Sequence, residues 1–509
     1  MKNKYLEEII NGNETYRKLI FERGFLVTNN NIDIKAFPVL KDWIECSVCD
    51  CRIFVHPDQK CFICDNRVLI GHAYNPFSME TDENQILKNI TKNILNQLTG
   101  IFTVFEVKEN GIKFVGDATC MQCVYYTISN NFYYISSHSN LIGEILHLDV
   151  DPYIKKLIGY RFFPLFGFQL PGDLSLYECV KRLVPNHYAE IKDGKAVLER
   201  FFLPHTEILS ENDIVDKVSE ILHNNLDLIT KKWRKPAISL TGGCDSKTTL
   251  SCANGLFEKF SYFSYVSSEE ERVDAIAAHN ICNALNLRHE IYEIPGNDFA
   301  FPNIEKMRTL LRYNCGDAFD NNRNDVRKRV WLLEHQTFDV EVKSWVSEIG
   351  RAYYSKRFCG RQNFGKVPSP RKCSTLYKVF FYNRRLLRKT DRVFADYLKS
   401  FFDRNTENPI AWQEQFFWEF RVPAWNALVI THEHQFSSNI TIPYNNRILL
   451  GYLLDAPIKD RISDKIYADV RKKMDERIDN LGINVTNIKH TRNRAIVENA
   501  YYVINNILP

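Results

Sequence analysis

The chain is 509 residues long with 45% hydrophobic and 25% charged residues, enough to bury more than one core. Its 66 basic and 62 acidic residues leave a formal charge of +4, too weak a field to steer the molecule onto nucleic acid, so no polymer partner is expected. The amino end, MKNKYLEEIINGNETYRK, lacks an apolar signal core, and the longest apolar stretch, Phe162 to Pro171, is about half of a spanning helix; a soluble, cytoplasmic protein without membrane contact is expected.

Fourteen cysteines in so long a chain are too sparse for a disulfide scaffold, and reduced thiols are expected. Cys46, Cys49, Cys61 and Cys64 form two C-x-x-C pairs of the kind that can hold zinc. The surrounding segment, CRIFVHPDQKCFICDNRVLIGHAYNP, also reads as a β-meander with turns at Pro57-Asp58 and Asp65-Asn66. In that reading Cys61 and Cys64 point to opposite faces of a strand and pack as small hydrophobes.

From about residue 25 to 205, short aromatic and β-branched runs such as GIFTVFEV, CVYYTIS and NFYYISS predict a layered β structure. Helices are expected over Glu83 to Leu98 and Leu141 to Leu157, where apolar residues recur at three and four. The pattern changes after FFLPH. A helix capped at Ser210 leads into the strand PAISL, and strand, loop and helix then alternate through FSYFSYV, Arg272 to Leu285 and HEIYEI, as in a parallel α/β sheet. Beyond about Cys359 the segments read as helical, with a basic loop at Lys356 to Lys372 that would suit a lid. Two domains follow, 1–205 and 206–509.

The segment Ala237-Ile-Ser-Leu-Thr-Gly-Gly-Cys-Asp-Ser-Lys-Thr-Thr-Leu250 reads as an apolar strand, a double-glycine turn and a helix opened by hydroxyl residues. Glycines permit close approach, the first helical amides are unpaired and favour an anion, and Thr241, Ser246 and Thr248 add hydroxyl donors. A polyphosphate is the natural guest. The spacing is not that of the G-x-x-x-x-G-K-[ST] loop. The loop resembles the S-G-G-x-D-S loop of the ATP pyrophosphatases, which implies AMP and pyrophosphate as products.

Further residues narrow the resemblance to the asparagine synthetase and β-lactam synthetase family. Phe260 to Val266, Asp274-x-x-Ala277 and Leu285-Asn-Leu-Arg-His289 are similar to its second βα unit. The stretch Lys343 to Tyr354 is similar to S-G-x-G-x-D-E-L-F-G-G-Y, with Glu348 and Tyr353 matching and Ser347 in place of the magnesium-associated Asp. Ile442-Pro-Tyr-Asn-Asn-Arg-Ile-Leu-Leu450 resembles P-F-L-D-x-x-L, and Asn439 stands where a Glu is usual. The first domain resembles the glutaminase that precedes such synthetases, through Leu98-Thr-Gly-Ile-Phe102, Gly116-Asp117 and Arg182-Leu-Val-Pro-Asn-His187. That enzyme needs a cysteine as its first mature residue, whereas Met1 is followed here by Lys2.

The resemblance implies an amino-terminal, N-terminal-nucleophile-like β-sandwich without glutaminase activity. It implies a parallel-sheet ATP pyrophosphatase domain with a helical carboxyl-terminal part. ATP would lie on Ser239, Leu240, Thr241, Gly242, Gly243, Asp245 and Ser246, with Ser264 and Ser344 alongside. Asp245 and Glu348 would hold Mg2+, and Asp245, Glu348, Arg351 and Lys465 would serve catalysis, with Lys247 as another cation for the pyrophosphate. The expected reaction is adenylation of a small-molecule or peptide carboxylate, followed by attack of ammonia or an amine; a homodimer is an open expectation. The alternatives are a decayed nucleotide-binding protein and a sulfur transferase using Cys120, Cys123 or Cys244.

Overall fold

The computed structural model describes residues 4–11, 13–204, 209–297, 300–317, 323–377, 383–402, 410–481, 483 and 488–507. The expected domain boundary at 205/206, and Met1 and Lys2, lie outside the described residues.

Twelve strands build two antiparallel sheets. They are β1 (Phe25–Thr28), β2 (Ile44–Val48), β3 (Cys51–Val55), β4 (Cys61–Cys64), β5 (Arg67–Tyr74), β6 (Thr99–Lys108), β7 (Gly111–Gly116), β8 (Tyr125–Ser129), β9 (Phe132–Ser136), β10 (Lys181–Arg182), β11 (His187–Lys192) and β12 (Lys195–Arg200). One sheet has the order β10-β8-β9-β1-β3-β2 and the other β12-β11-β7-β6-β5-β4. Phe25, Val27, Ile53, Phe105, Phe114 and Ile135 meet between the sheets. Their strand neighbours Leu26, Phe54, Val104, Val115 and Tyr134 face outward, yet are buried in a second and larger core. Burial on both faces explains why runs such as GIFTVFEV are almost continuously apolar rather than alternating.

The cysteine-rich segment is not a meander within one sheet. β3 pairs with β1 and β2, whereas β4 pairs with β5, so the Pro57-Asp58 turn crosses from one sheet to the other. Cys46 and Cys61 pack against the core between the sheets and Cys64 against the outer core. Among the described residues, no group of three or more His, Cys, Asp or Glu side chains is placed to hold a metal.

Two expected helices are each broken in two. Helix Glu83–Lys88 stops before Thr91, whose hydroxyl caps Lys92–Gln97; helix Ser139–Leu146 ends at left-handed His147, and Asp151 caps Pro152–Ile158. The apolar periodicity runs through both breaks because the paired helices bury the same side, while the cap residues and Pro152 decide where each begins.

The second half carries a wholly parallel sheet of β13 (Pro236–Ser239), β14 (Ser261–Val266), β15 (His289–Glu293), β16 (Val340–Val342) and β17 (Ile440–Thr441), in the order β15-β14-β13-β16-β17. The 22-residue helix Glu211–Lys232 that precedes it starts with a capping box between Ser210 and Asp213. Chain order reverses direction between β13 and β16, and a crevice opens beyond the carboxyl ends of parallel strands at such a point. Facing it is a π-helical stretch over Phe417–Asn426 and Leu428–His434, with Pro423 inside it. Pro423 cannot donate a backbone hydrogen bond, and wide turns of this kind recur at functional sites. No described helix is long and apolar enough to cross a membrane.

The two sheet systems are joined by Asn445, Asn446 and Arg447. Asn445 donates to Gly100 O (2.6 Å) and Asp117 Oδ1 (2.9 Å), and Asn446 donates to Gln97 O (2.6 Å). Arg447, completely buried, donates to the carbonyls of Gly116 (2.7 Å) and Asp117 (3.0 Å).

Candidate functional site

The loop Leu240 to Gly243 leaves the carboxyl end of β13 and opens helix Cys244–Cys252. Its shape is held from within and from behind. Ser246 Oγ donates to Thr241 O (2.9 Å), Thr241 Oγ1 lies 3.0 Å from Ser246 Oγ, and Gly242 N donates to Asp274 Oδ1 (3.3 Å). Ser264 Oγ donates to Leu240 O (2.7 Å), and Thr249 and Ser344 hydroxyls are 2.7 Å apart. Ser264, on β14, therefore buttresses the loop, and Ser344, just beyond β16, bonds the helix that the loop opens. Gly243 has ordinary extended torsions (φ −75°, ψ 162°), which any residue can adopt. What restricts it is space, since an added Cβ would lie 3.1 Å from Thr241 Oγ1.

Beyond β16 the chain turns through the short helical segment Ser347–Arg351, entered and left by the left-handed residues Val346 and Ala352. This places a polar cluster against the start of the loop helix. Ser347 Oγ donates to Asp245 Oδ1 (2.7 Å) and Arg351 Nη1 to Asp245 Oδ2 (2.6 Å). The same guanidinium grips Asp464 with two bonds of 2.8 and 2.9 Å, and Lys356 pairs with Asp464 as well. Burial alone would raise the Asp464 carboxyl, but Arg351 and Lys356 hold it below its ordinary range.

Glu348 sits half-buried beside this network, and desolvation, reinforced by the charge of Asp245, pushes it up to about 7. A raised carboxyl binds its proton more tightly when folded, so its ionisation costs stability above the unfolded value and the full cost is reached above the folded one. Glu348→Gln is therefore expected to leave stability unchanged near pH 4 and to raise it by about 1–2 kcal/mol at pH 8, read from urea unfolding at the two pH values.

Tyr353 and Arg421 extend the cluster toward the π-helical wall. Burial would raise the Tyr353 phenol, yet Arg421 and Arg357 bring it below its usual value, and Arg357 Nη1 donates to its oxygen (2.9 Å). Arg421 lies over the Trp425 ring (5.0 Å), and Trp425 is parallel to Trp345 with centroids 6.4 Å apart. Trp418, in contrast, is a core residue that donates to Ala118 O.

The structure thus brings Asp245, Ser347, Glu348 and Arg351 together from two strand ends. Lys465 is not among them, because its ammonium pairs with Glu211 and Asp469 on the outer surface while its neighbour Asp464 turns inward. Lys247 donates to Ile483 O (2.7 Å). Asn439 lies at the opposite, entry end of the sheet, where it donates to Asp339 O. The basic stretch 356–372 is tied down at several points rather than free: Arg357 to Glu498, Arg361 to Asn499 and Arg371 to Asp391. Cys120 and Cys123 are buried thiols, and burial also raises Cys244, which makes all three weak nucleophiles.

Sequence reasoning missed Asp464, Asp274 and Arg421 as members of the site. Asp464 carried one usable signal, its place just before a helix.

Gly350 locks the turn in place. An added Cβ would meet Leu453 Cβ at 2.6 Å and Tyr467 Oη at 3.0 Å, and that hydroxyl donates to Ser347 O (2.7 Å). Gly350→Ala is expected to cost about 1–3 kcal/mol of stability in chemical denaturation through this overpacking.

No family model matches the chain, and no curated protein does. Solved structures with some likeness include the allosteric regulatory enzyme of purine biosynthesis, at 10% identity and TM-score 0.22 over 46% of this chain and 58% of that one. Another is the glutamine phosphoribosylpyrophosphate amidotransferase from B. subtilis complexed with ADP and GMP, at 9% identity and TM-score 0.21 over 69% of this chain and 74% of that one. A third is the glutamine-dependent NAD+ synthetase from Acinetobacter baumannii in complex with ADP, at 12% identity and TM-score 0.19 over 51% of this chain and 65% of that one. The chain spans under two thirds of the first and third of these, and at such TM-scores the likeness says nothing about chemistry.

Proposed function

We propose that the chain is an ATP-dependent, AMP- and pyrophosphate-forming ligase that adenylates a carboxylate and joins it to an amine. The observation that carries this reading is the loop Leu240 to Gly243, which opens a helix at the reversal point of a parallel sheet with Asp245, Glu348 and Arg351 beside it. Unpaired amides at the start of that helix suit the phosphates.

Magnesium suits the donor set. The ion commonly takes one or two carboxylates and completes its shell with water and phosphate oxygens, and Glu348, raised first by desolvation and then by the charge of Asp245, stands beside that second carboxylate. Bound there, it would offset the charge of the phosphates. In the first step a substrate carboxylate oxygen attacks the α phosphorus, the bond to the bridging α–β oxygen breaks, and pyrophosphate leaves with that electron pair. Arg351, held by Asp245 and Asp464, would counter the growing charge. In the second step an amine nitrogen attacks the acyl carbon, AMP departs with the electron pair of the acyl–oxygen bond, and the proton lost from nitrogen passes to solvent water.

Sulfur transfer is disfavoured by the buried, raised thiols. Incubating the protein with ATP, magnesium, labelled pyrophosphate and a panel of amino acids, small carboxylates and peptides tests the proposal. Label entering ATP with one acid supports it; ATP binding without exchange for any acid would instead favour a decayed site.

A further inference from the structure

The two C-x-x-C pairs of the amino-terminal half take no part in the site described above, and the fold pulls both pairs apart. Cys49 is exposed in the turn between β2 and β3, with left-handed torsions (φ 53°), and Cys64 ends β4 on the side of the outer core. Cys46 and Cys61, one from each pair, both point inward. Cys46 is the cross-strand partner of Ile53 and Cys61 that of Ile70, such partners share a face, and Ile53 and Ile70 belong to the core between the sheets.

The two inward thiols meet in a hydrogen bond. Because β2 ends one sheet and β4 ends the other, this contact lies across the open edge of the sandwich, where each strand lacks a further partner. The two sulfurs are not equivalent. Cys46 Sγ lies 3.7 Å from Ile53 O and accepts from the Cys61 thiol, which draws Cys46 below its ordinary value in spite of burial and the charge of Glu45. The same bond, followed by burial, pushes Cys61 up. Both residues are half-exposed, so a small reagent reaches them, whereas Cys51 on the adjacent strand is buried. A lowered thiol beside a second one is the arrangement in which one sulfur attacks and the other resolves.

We infer that Cys46 and Cys61 are a redox modification site, oxidised by a small disulfide of the glutathione class to an intramolecular disulfide that ties the two sheets together at their open edge. The Cys46 thiolate attacks one sulfur of the reagent and expels the first small thiol, leaving a mixed disulfide. With that charge consumed, Cys61 gives its proton to water, attacks the Cys46 sulfur and expels the second small thiol. The two protein thiols lose two electrons and two protons, and the reagent disulfide gains them as two thiols.

The test is mass-spectrometric peptide mapping of the full folded chain after treatment with oxidised glutathione and blocking of the remaining thiols, with linked residues assigned by fragmentation. A cross-link between Cys46 and Cys61 is expected, lighter by two hydrogens and undone by dithiothreitol. The melting temperature should rise by several degrees on oxidation, because closing a short loop constrains the unfolded chain. Cys61→Ser is expected to stop at the mixed disulfide on Cys46 and to lose that rise; should it fail to fold, the mapping of the unaltered chain decides alone. A cross-link inside either C-x-x-C pair, glutathione retained on Cys46 of the unaltered chain, or both thiols left unmodified overturns the assignment.

Discussion

Asp245→Asn is expected to lower ATP–pyrophosphate exchange by about 10²- to 10³-fold while the protein stays folded, because electrostatic groups at a phosphoryl-transfer centre contribute on that scale. Asparagine keeps the shape and can still accept from Ser347, but it removes the charge that Arg351 meets at 2.6 Å. Arg351 keeps its two bonds to Asp464, so the guanidinium remains near its place. The structural loss is that of one half-buried ion pair, about 1 kcal/mol or less. A paired measurement sharpens the prediction. Lys465→Ala should leave exchange untouched, since Lys465 serves a surface network with Glu211 and Asp469. Full exchange in the Asp245 variant, or a large loss in the Lys465 variant, would sink the roles assigned to these two residues.

The layered β half and the parallel α/β half were legible because their elements carry strong local signals. Ser210 with its acid three residues on marks a helix start ahead of an apolar stripe, and PAISL before two glycines is a strand leading into a turn. The loop was legible for the same reason, being contiguous. What could not be read depends on neighbours distant in the chain. Asp464 joins the site only because a left-handed turn aims it at Arg351, 113 positions away in sequence. Lys465, beside it, stands out as a cation similar to the helix Lys of the synthetase family, and one step of rotation turns it to the surface network with Glu211 and Asp469. The crossing of the cysteine segment between sheets was equally hidden, since β3 and β4 each read as ordinary strands and the partner of each is decided by the sandwich as a whole. Gly243 offers a different lesson, because its value lies in the space Thr241 needs and not in unusual torsions.

Arg447→Ala is expected to destabilise the protein by about 3–5 kcal/mol, the range for removing one member of a buried polar network and leaving its partners unpaired. The guanidinium is wholly buried, and burial lowers it to about 10, so desolvation outweighs what its partners return and each of their hydrogen bonds matters. It donates to the carbonyls of Gly116 and Asp117, approaches Leu95 O and Asn186 Oδ1, and covers the Phe201 ring. All of these acceptors belong to the amino-terminal half, whereas Arg447 begins a helix of the other half. Loss of the side chain therefore leaves buried carbonyls unpaired and also a void at the seam, and both penalties act where the halves meet. Arg447→Met would restore much of the volume but none of the hydrogen bonds, so it should recover only the smaller part of the loss. Unfolding followed by far-ultraviolet circular dichroism and by tryptophan fluorescence gives the check. If the seam couples the halves, the two probes coincide in the native protein and separate in the Ala variant, with one half melting before the other. Coincident transitions in both proteins, with midpoints unchanged, would mean that Arg447 contributes little to stability and that the halves are held together elsewhere.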